Sequence, residues 1–203
     1  MDSAAQPQRR KAIIDALGHY QKHGSLRDNP EDVAAMLTDE SDRGALIIVG
    51  TLVEDLLADM IISKLPSGEA MRKELTRQGG ALNTFNDKIA VATALNLIDE
   101  ETIDELDVLR VMRNACAHSR RNITFRTPEL LDGLTLLVEE EAAQFLRQTK
   151  NDLFIRAIFS LVAAILFRLL SGGTKEQAQA HVNLMSAELL RELRAEKAKL
   201  DSL

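Results

Sequence analysis

The sequence predicts an all-α fold, and three observations carry that prediction. Leu, Ala, Ile, Val and Met dominate the apolar residues, aromatics are 3 % and Trp is absent. Leu, Ala, Glu, Arg and Met are strong helix formers, whereas sheets favour aromatic and β-branched residues. Apolar residues recur at spacings of three and four along most of the chain, the period of a core-facing helix, and only four prolines interrupt 203 residues. That length fits one domain, and no repeat at solenoid periods stands out. The expected organisation is a helical core over residues 41–171, an N-terminal helical extension over 1–40 packed on it, and a C-terminal amphipathic helix over 172–203.

The elements follow in order. Residues 8–22 form a first helix candidate with Ile13, Ile14 and Leu17 on one face, broken by Gly24 and the stretch to Pro30. Glu31 to Leu37 reads as a short helix with Pro30 at its first turn. Ser41 or Asp42 caps a long helix to about Lys64, whose apolar line is Leu46, Val49, Val53, Leu56, Leu57, Met60 and Ile61. Pro66-Ser67-Gly68 ends it. Glu69 to Arg77 is a polar turn or two stopped by Gly79-Gly80.

Thr84 and Asp87 form a capping box with a short acid, opening a helix through Ile89, Ala92, Ala94 and Leu95. Asp99 caps the next helix, whose early acids suit the positive end of its dipole. Ile103, Leu106, Leu109 and Met112 are its apolar line. Asn122 to Phe125 reads as an extended connection, and Pro128 starts a helix to about Lys150, kinked near Gly133. Asp152 to Leu170 is the most apolar helix and is expected to be central, closed by Gly172-Gly173. A last helix from Thr174 carries Ala178, Val182, Met185, Leu189 and Leu193 in one stripe, suited to packing on the parent domain or to a partner.

Composition narrows the function classes. A net charge of −6 argues against broad binding to duplex DNA. Cys116 is the only cysteine, which excludes an internal disulfide and fits a reducing, cytoplasmic setting. Met1 to Gly18 lacks the apolar run of a secretory signal. The most membrane-like stretch, Ala157 to Phe167, would span roughly 16 Å as a helix, about half a bilayer core. Gly172-Gly173-Thr174-Lys175 lacks the spaced first glycine of a phosphate loop. His19 and His23 lie one helical turn apart but have no evident third ligand, and His181 sits on a charged helix, so neither a metal nor a cofactor is expected.

Charge is polarised around one hexapeptide. Asp99 to Asp107 holds six carboxylates; Val108 to Pro128 holds Arg110, Arg113, Arg120, Arg121, Arg126 and His118 with no acid at all. Arg113-Asn114-Ala115-Cys116-Ala117-His118 closes the helix between them. An arginine and a histidine held at a helix end can bind an anion and move a proton. Cys116, flanked by alanines and without an orienting group, reads as apolar filler. Residues five apart lie about 140° around an ideal helix. Arg113 and His118 therefore converge only if the helix ends by about Ala117, whereas Asn114 and His118 share a face. The competing structural reading has Arg113 and His118 tying the helix to the loop that follows.

Several segments together resemble the mannitol operon repressor family: Ala81-Leu82-Asn83-Thr84-Phe85-Asn86-Asp87-Lys88-Ile89, Ala94-Leu95-Asn96-Leu97-Ile98 and Leu109-Arg110-Val111-Met112-Arg113-Asn114-Ala115-Cys116-Ala117-His118-Ser119. Arg43-Gly44-Ala45-Leu46-Ile47 and Glu54-Asp55-Leu56-Leu57 are similar to it as well, so the resemblance covers residues 41–170. Cys116 departs from the aromatic residue common at that place. The hexapeptide also resembles the Arg-polar-x-x-x-His signature of the HEPN superfamily, which implies a single-domain HEPN-like bundle with helical extensions at both ends.

The first resemblance implies a homodimeric repressor of a sugar-alcohol uptake operon. With no helix-turn-helix in evidence, it is expected to act through a protein or RNA partner rather than by direct sequence-specific binding to duplex DNA. The second implies an alternative, a metal-independent, toxin-like endoribonuclease with two motif copies meeting across a homodimer. Arg113 would then hold the scissile phosphate, His118 would move a proton as the ribose 2′-hydroxyl attacks, and Asn114 would orient one of them. Arg110, Arg113, Arg120 and Arg121 are the expected anion or RNA contacts. A third reading is a non-catalytic dimerisation module whose last helix docks a partner.

Overall fold

A computed structural model describes residues 11–14, 37, 40–65, 68–173, 195 and 198. Every regular element among them is helical, in keeping with the predicted all-α class. Seven helices run between residues 42 and 170: α1 (Asp42–Lys64), α2 (Glu69–Thr76), α3 (Phe85–Ala94), α4 (Glu100–His118), α5 (Pro128–Leu136), α6 (Glu140–Gln148) and α7 (Asp152–Leu170). None of the described helices is long and apolar enough to cross a membrane.

The starts of the helices follow from local chemistry. Ser41 Oγ accepts from Gly44 N at 3.0 Å and caps α1. Thr84 and Asp87 close a reciprocal capping box on α3, with both bonds near 3 Å. Asp99 Oδ1 accepts from Thr102 N at 2.9 Å on α4. Each cap satisfies amide groups that a helix cannot satisfy internally. At the far end of the described core, Gly172 takes a φ of +85°, closing α7 as a glycine readily does.

The packing hub is α1, which touches α3, α4 and α7. Its buried face carries Leu46, Val49, Val53, Leu57 and Ile61, and at about 34 Å it spans the bundle. Leu106, Leu109, Met112 and Cys116 of α4 meet this core, as do Ile155, Phe159, Val162 and Leu166 of α7. The expectation that α7 would be central is thus corrected. Its apolar side is broad, but among the described elements it packs chiefly on α1, whereas α1 and α4 each touch three neighbours.

A second correction concerns residues 128–150. In place of one helix kinked near Gly133, the chain forms α5 and α6, broken at Leu137 to Glu139. The cause is a slip in apolar phase. Leu130, Leu134 and Leu137 would continue to Glu141 in a straight helix, yet the residues that need burial are Ala143, Phe145 and Leu146. The break keeps Glu141 in solvent and folds α6 back on α5. Gly133 serves close packing instead: a Cβ there would stand 2.9 Å from Met112 Sδ on α4.

Lys11–Ile14 are helical, with Ile13 and Ile14 exposed rather than turned to a core. Leu37 is helical and buried. Ala195 and Ala198 are helical and exposed. The remaining expectations for the N-terminal extension, with His19 and His23, and for the C-terminal helix, with His181 and its apolar stripe, fall outside the described residues.

Candidate functional site: the Arg113–His118 helix end

Helix α4 stays regular through His118, and Ser119 N donates back to Ala115 O at 2.9 Å as its cap. The condition for Arg113 and His118 to converge is therefore not met within one chain. Arg113 turns inward and His118 is exposed.

Arg113 belongs to a buried ion triad. Its Nη2 lies 2.5 Å from Glu54 Oε2 on α1, and Lys88 Nζ on α3 lies 2.5 Å from Glu54 Oε1. The Lys88 and Glu54 side chains are 8 % and 11 % exposed, so both charges have left most of their water. Each carboxylate oxygen takes one charged donor, the arrangement that makes burial tolerable. Arg113 Nη1 also donates to Asn114 Oδ1 at 2.9 Å, so Asn114 orients the guanidinium rather than His118.

The triad depends on a close approach of α1 and α4. A Cβ on Gly50 would stand 2.6 Å from Arg113 Cγ and 2.8 Å from its Cβ. Gly50 and Glu54, one helical turn apart, thus present a floor and an acceptor to the same side chain. Arg113 does lock the motif helix in place, but against α1 and α3 rather than the following loop.

A second clamp fixes the loop. Asp42 Oδ2 accepts from Phe125 N at 3.0 Å, and Asp42 Oδ1 lies 3.0 Å from Arg156 Nε on α7. Arg43 Nη2 donates to Ala117 O at 3.3 Å, a cation at the negative end of α4. Phe125 itself is buried against Phe159, with ring centroids 4.9 Å apart. Between these anchors Cys116 is fully buried, and burial raises its thiol pKa, with Arg43 opposing and Asp42 assisting. A buried, protonated thiol is no nucleophile.

The basic island is acid-free in sequence but not in space. Arg110 Nε pairs with Asp107 at 3.0 Å, Arg113 with Glu54, and Arg126 Nε with Asp152 at 2.6 Å while its Nη1 reaches Thr149 O. Among the described residues no ion pair engages Arg120, Arg121 or His118, and all three are exposed. The predicted anion-binding set of four arginines therefore divides: Arg120 and Arg121 face solvent, whereas Arg110 and Arg113 are occupied.

Sequence reasoning missed the two partners of Arg113. Glu54 was legible as a carboxylate on the buried face of α1, in line with Gly50, Leu57 and Ile61, and a carboxylate there demands a cation. Lys88 sits equally close to the apolar register of α3, beside Ile89 and Phe85.

A separate cleft of about 250 Å³ opens between α1, α2 and α3, lined by Asp55, Asp59, Arg72, Thr76 and Lys88 among others. Arg72 pairs with Asp59 and Lys88 with Glu54, so its cations are matched. No group of three or more metal-ligating side chains occurs among the described residues. Compared with known proteins, the chain matches no family model, no curated protein and no solved structure.

Proposed function

We propose that this chain is a regulator of the mannitol operon repressor type, lowering expression of a sugar-alcohol uptake operon by holding a protein or RNA partner, without catalysing a reaction. The observation that carries the non-catalytic part is the commitment of Arg113. A phosphate-binding arginine must offer its guanidinium to substrate, and here it is spent on Glu54 in a partly buried triad. His118 points elsewhere, so within one chain Arg113 and His118 do not form a pair able to grip a phosphate and move its proton. The family assignment is supported by the motif segments over residues 41–170.

RNA is the partner class the exposed groups favour. His118, Arg120 and Arg121 form a short cationic edge at the end of α4, suited to a few phosphates rather than to a duplex face. The test has two arms. RNA incubated with the pure protein and a metal chelator should stay intact, and deleting the gene should raise the message of a neighbouring sugar-alcohol uptake operon. RNA cleavage that disappears in His118→Ala would overturn the reading in favour of the ribonuclease. Nanomolar, sequence-specific binding to operator DNA would overturn the route through a partner.

A further inference from the structure

Helix α4 is buried on one side and open on the other. Opposite its core residues, Asp104, Val111, Ala115 and His118 are exposed and Val108 is half-buried, a stripe at spacings of three and four. An exposed apolar side chain such as Val111, at 56 %, is unremarkable alone. The charge order about it is not. Glu100, Glu101 and Asp104 are exposed on its N-terminal side, and His118, Arg120 and Arg121 are exposed on its C-terminal side. The face is apolar and narrow at its centre and reverses sign end to end.

Such a face is complementary to itself when turned around. We infer that α4 pairs antiparallel with α4 of a second copy, on a two-fold axis passing at Val111. In that register Val111 meets its own counterpart, Val108 lies near Ala115 of the second copy, and Asp104 lies near His118 of the second copy. Valine and alanine at the centre let two helix axes approach to the usual 8–10 Å. A parallel pairing would set acid on acid and base on base, which costs free energy. A two-fold axis through one helix face is the isologous contact that most homodimers use.

The geometry separates this dimer from one in which two motifs meet. His118 lies seven residues from the axis, so the two copies stand about 21 Å apart along the seam. The pairing therefore builds no joint histidine site. It buries one helix face, less than the roughly 800 Å² per partner of a standard interface, so association is weak and concentration-dependent. The seam stands whether or not the chain is a regulator.

The test is sedimentation and cysteine cross-linking of the full chain. The native protein should dimerise between micromolar and millimolar concentration, less so at high salt, because the paired charges are exposed. Val111→Glu should raise the dimer dissociation constant by about tenfold or more, since symmetry places the new charge twice at the axis. Position 111 is exposed in the monomer, and an unchanged helical circular dichroism spectrum would exclude misfolding.

Under oxidation, Val111→Cys should cross-link to itself, and Asp104→Cys should cross-link to His118→Cys in a mixture. The native chain, whose Cys116 is buried, is the control. A protein monomeric at every concentration would overturn the seam. So would cross-linking by His118→Cys alone without Val111→Cys, which would show a motif-to-motif dimer. A Val111→Cys thiol that resists labelling in a monomeric sample would show the face covered by the chain's own segments, and would overturn it too.

Discussion

Glu54 occupies a core position on α1, one turn from Gly50 and just before Leu57, where an apolar side chain would ordinarily stand. Dehydrating a carboxylate costs several kcal/mol, and the loss is offset only where charged donors meet both oxygens. Lys88 and Arg113 do so from two different helices. Glu54→Gln removes the anion and leaves two cations with no counter-charge, so urea denaturation should show a loss of about 3–5 kcal/mol. A change under about 1 kcal/mol, the range of exposed pairs, would mean that the triad contributes no more than a surface contact. Arg113 was legible as a notable residue, and a structural role was one of its two readings, but the partners it would tie to were not legible. Its partners lie 59 positions away in Glu54 and, through that carboxylate, in Lys88. No pattern local to the hexapeptide encodes that convergence; only the packing of α1, α3 and α4 does.

Elements were more legible than their pairings, because a helix start depends on a few neighbouring residues. Thr84 with Asp87 announces α3 in sequence, and the capping box forms as expected. The Asp87 carboxyl is held below its ordinary range chiefly by the Thr84 side chain and then by the Thr84 backbone amide. A depressed pKa favours folding above the unfolded value, and this contribution is lost as pH falls through the folded value. Asp87→Asn mimics the protonated acid, so native protein should melt higher than the variant at neutral pH. The gap should close as pH drops below the ordinary carboxylate range. Thermal melts across acid pH check this, and a gap that persists at the lowest pH would contradict it. Where local signals conflicted, the sequence reading erred: Gly133 suggested a kink, whereas the slip from Leu137 to Ala143 decided the break between α5 and α6.

Across the whole molecule, the contrast between an acidic run and a basic island dissolves into tertiary pairing. Asp107, Glu54 and Asp152 each take one arginine of the island, two of them from distant helices. What stays open is narrower than the sequence suggests, namely His118, Arg120 and Arg121 at one helix end. The order of helices and most of the core could be read from periodicity. Which helices would be the most surrounded could not, since contact on three sides, as for α1 and α4, is a property of the assembly and not of one segment's composition.

The burial of Cys116 has a practical consequence. Its sulfur sits on the core face of α4 between the Arg43 and Arg113 anchors, so a reagent reaches it only when α4 lifts from α1. The thiol is thus a built-in clock for that opening. Under native conditions, labelling should be slow and should accelerate with added urea along the same slope as global unfolding. Labelling that is fast and indifferent to urea would show α4 leaving the bundle by itself, as a separately moving part.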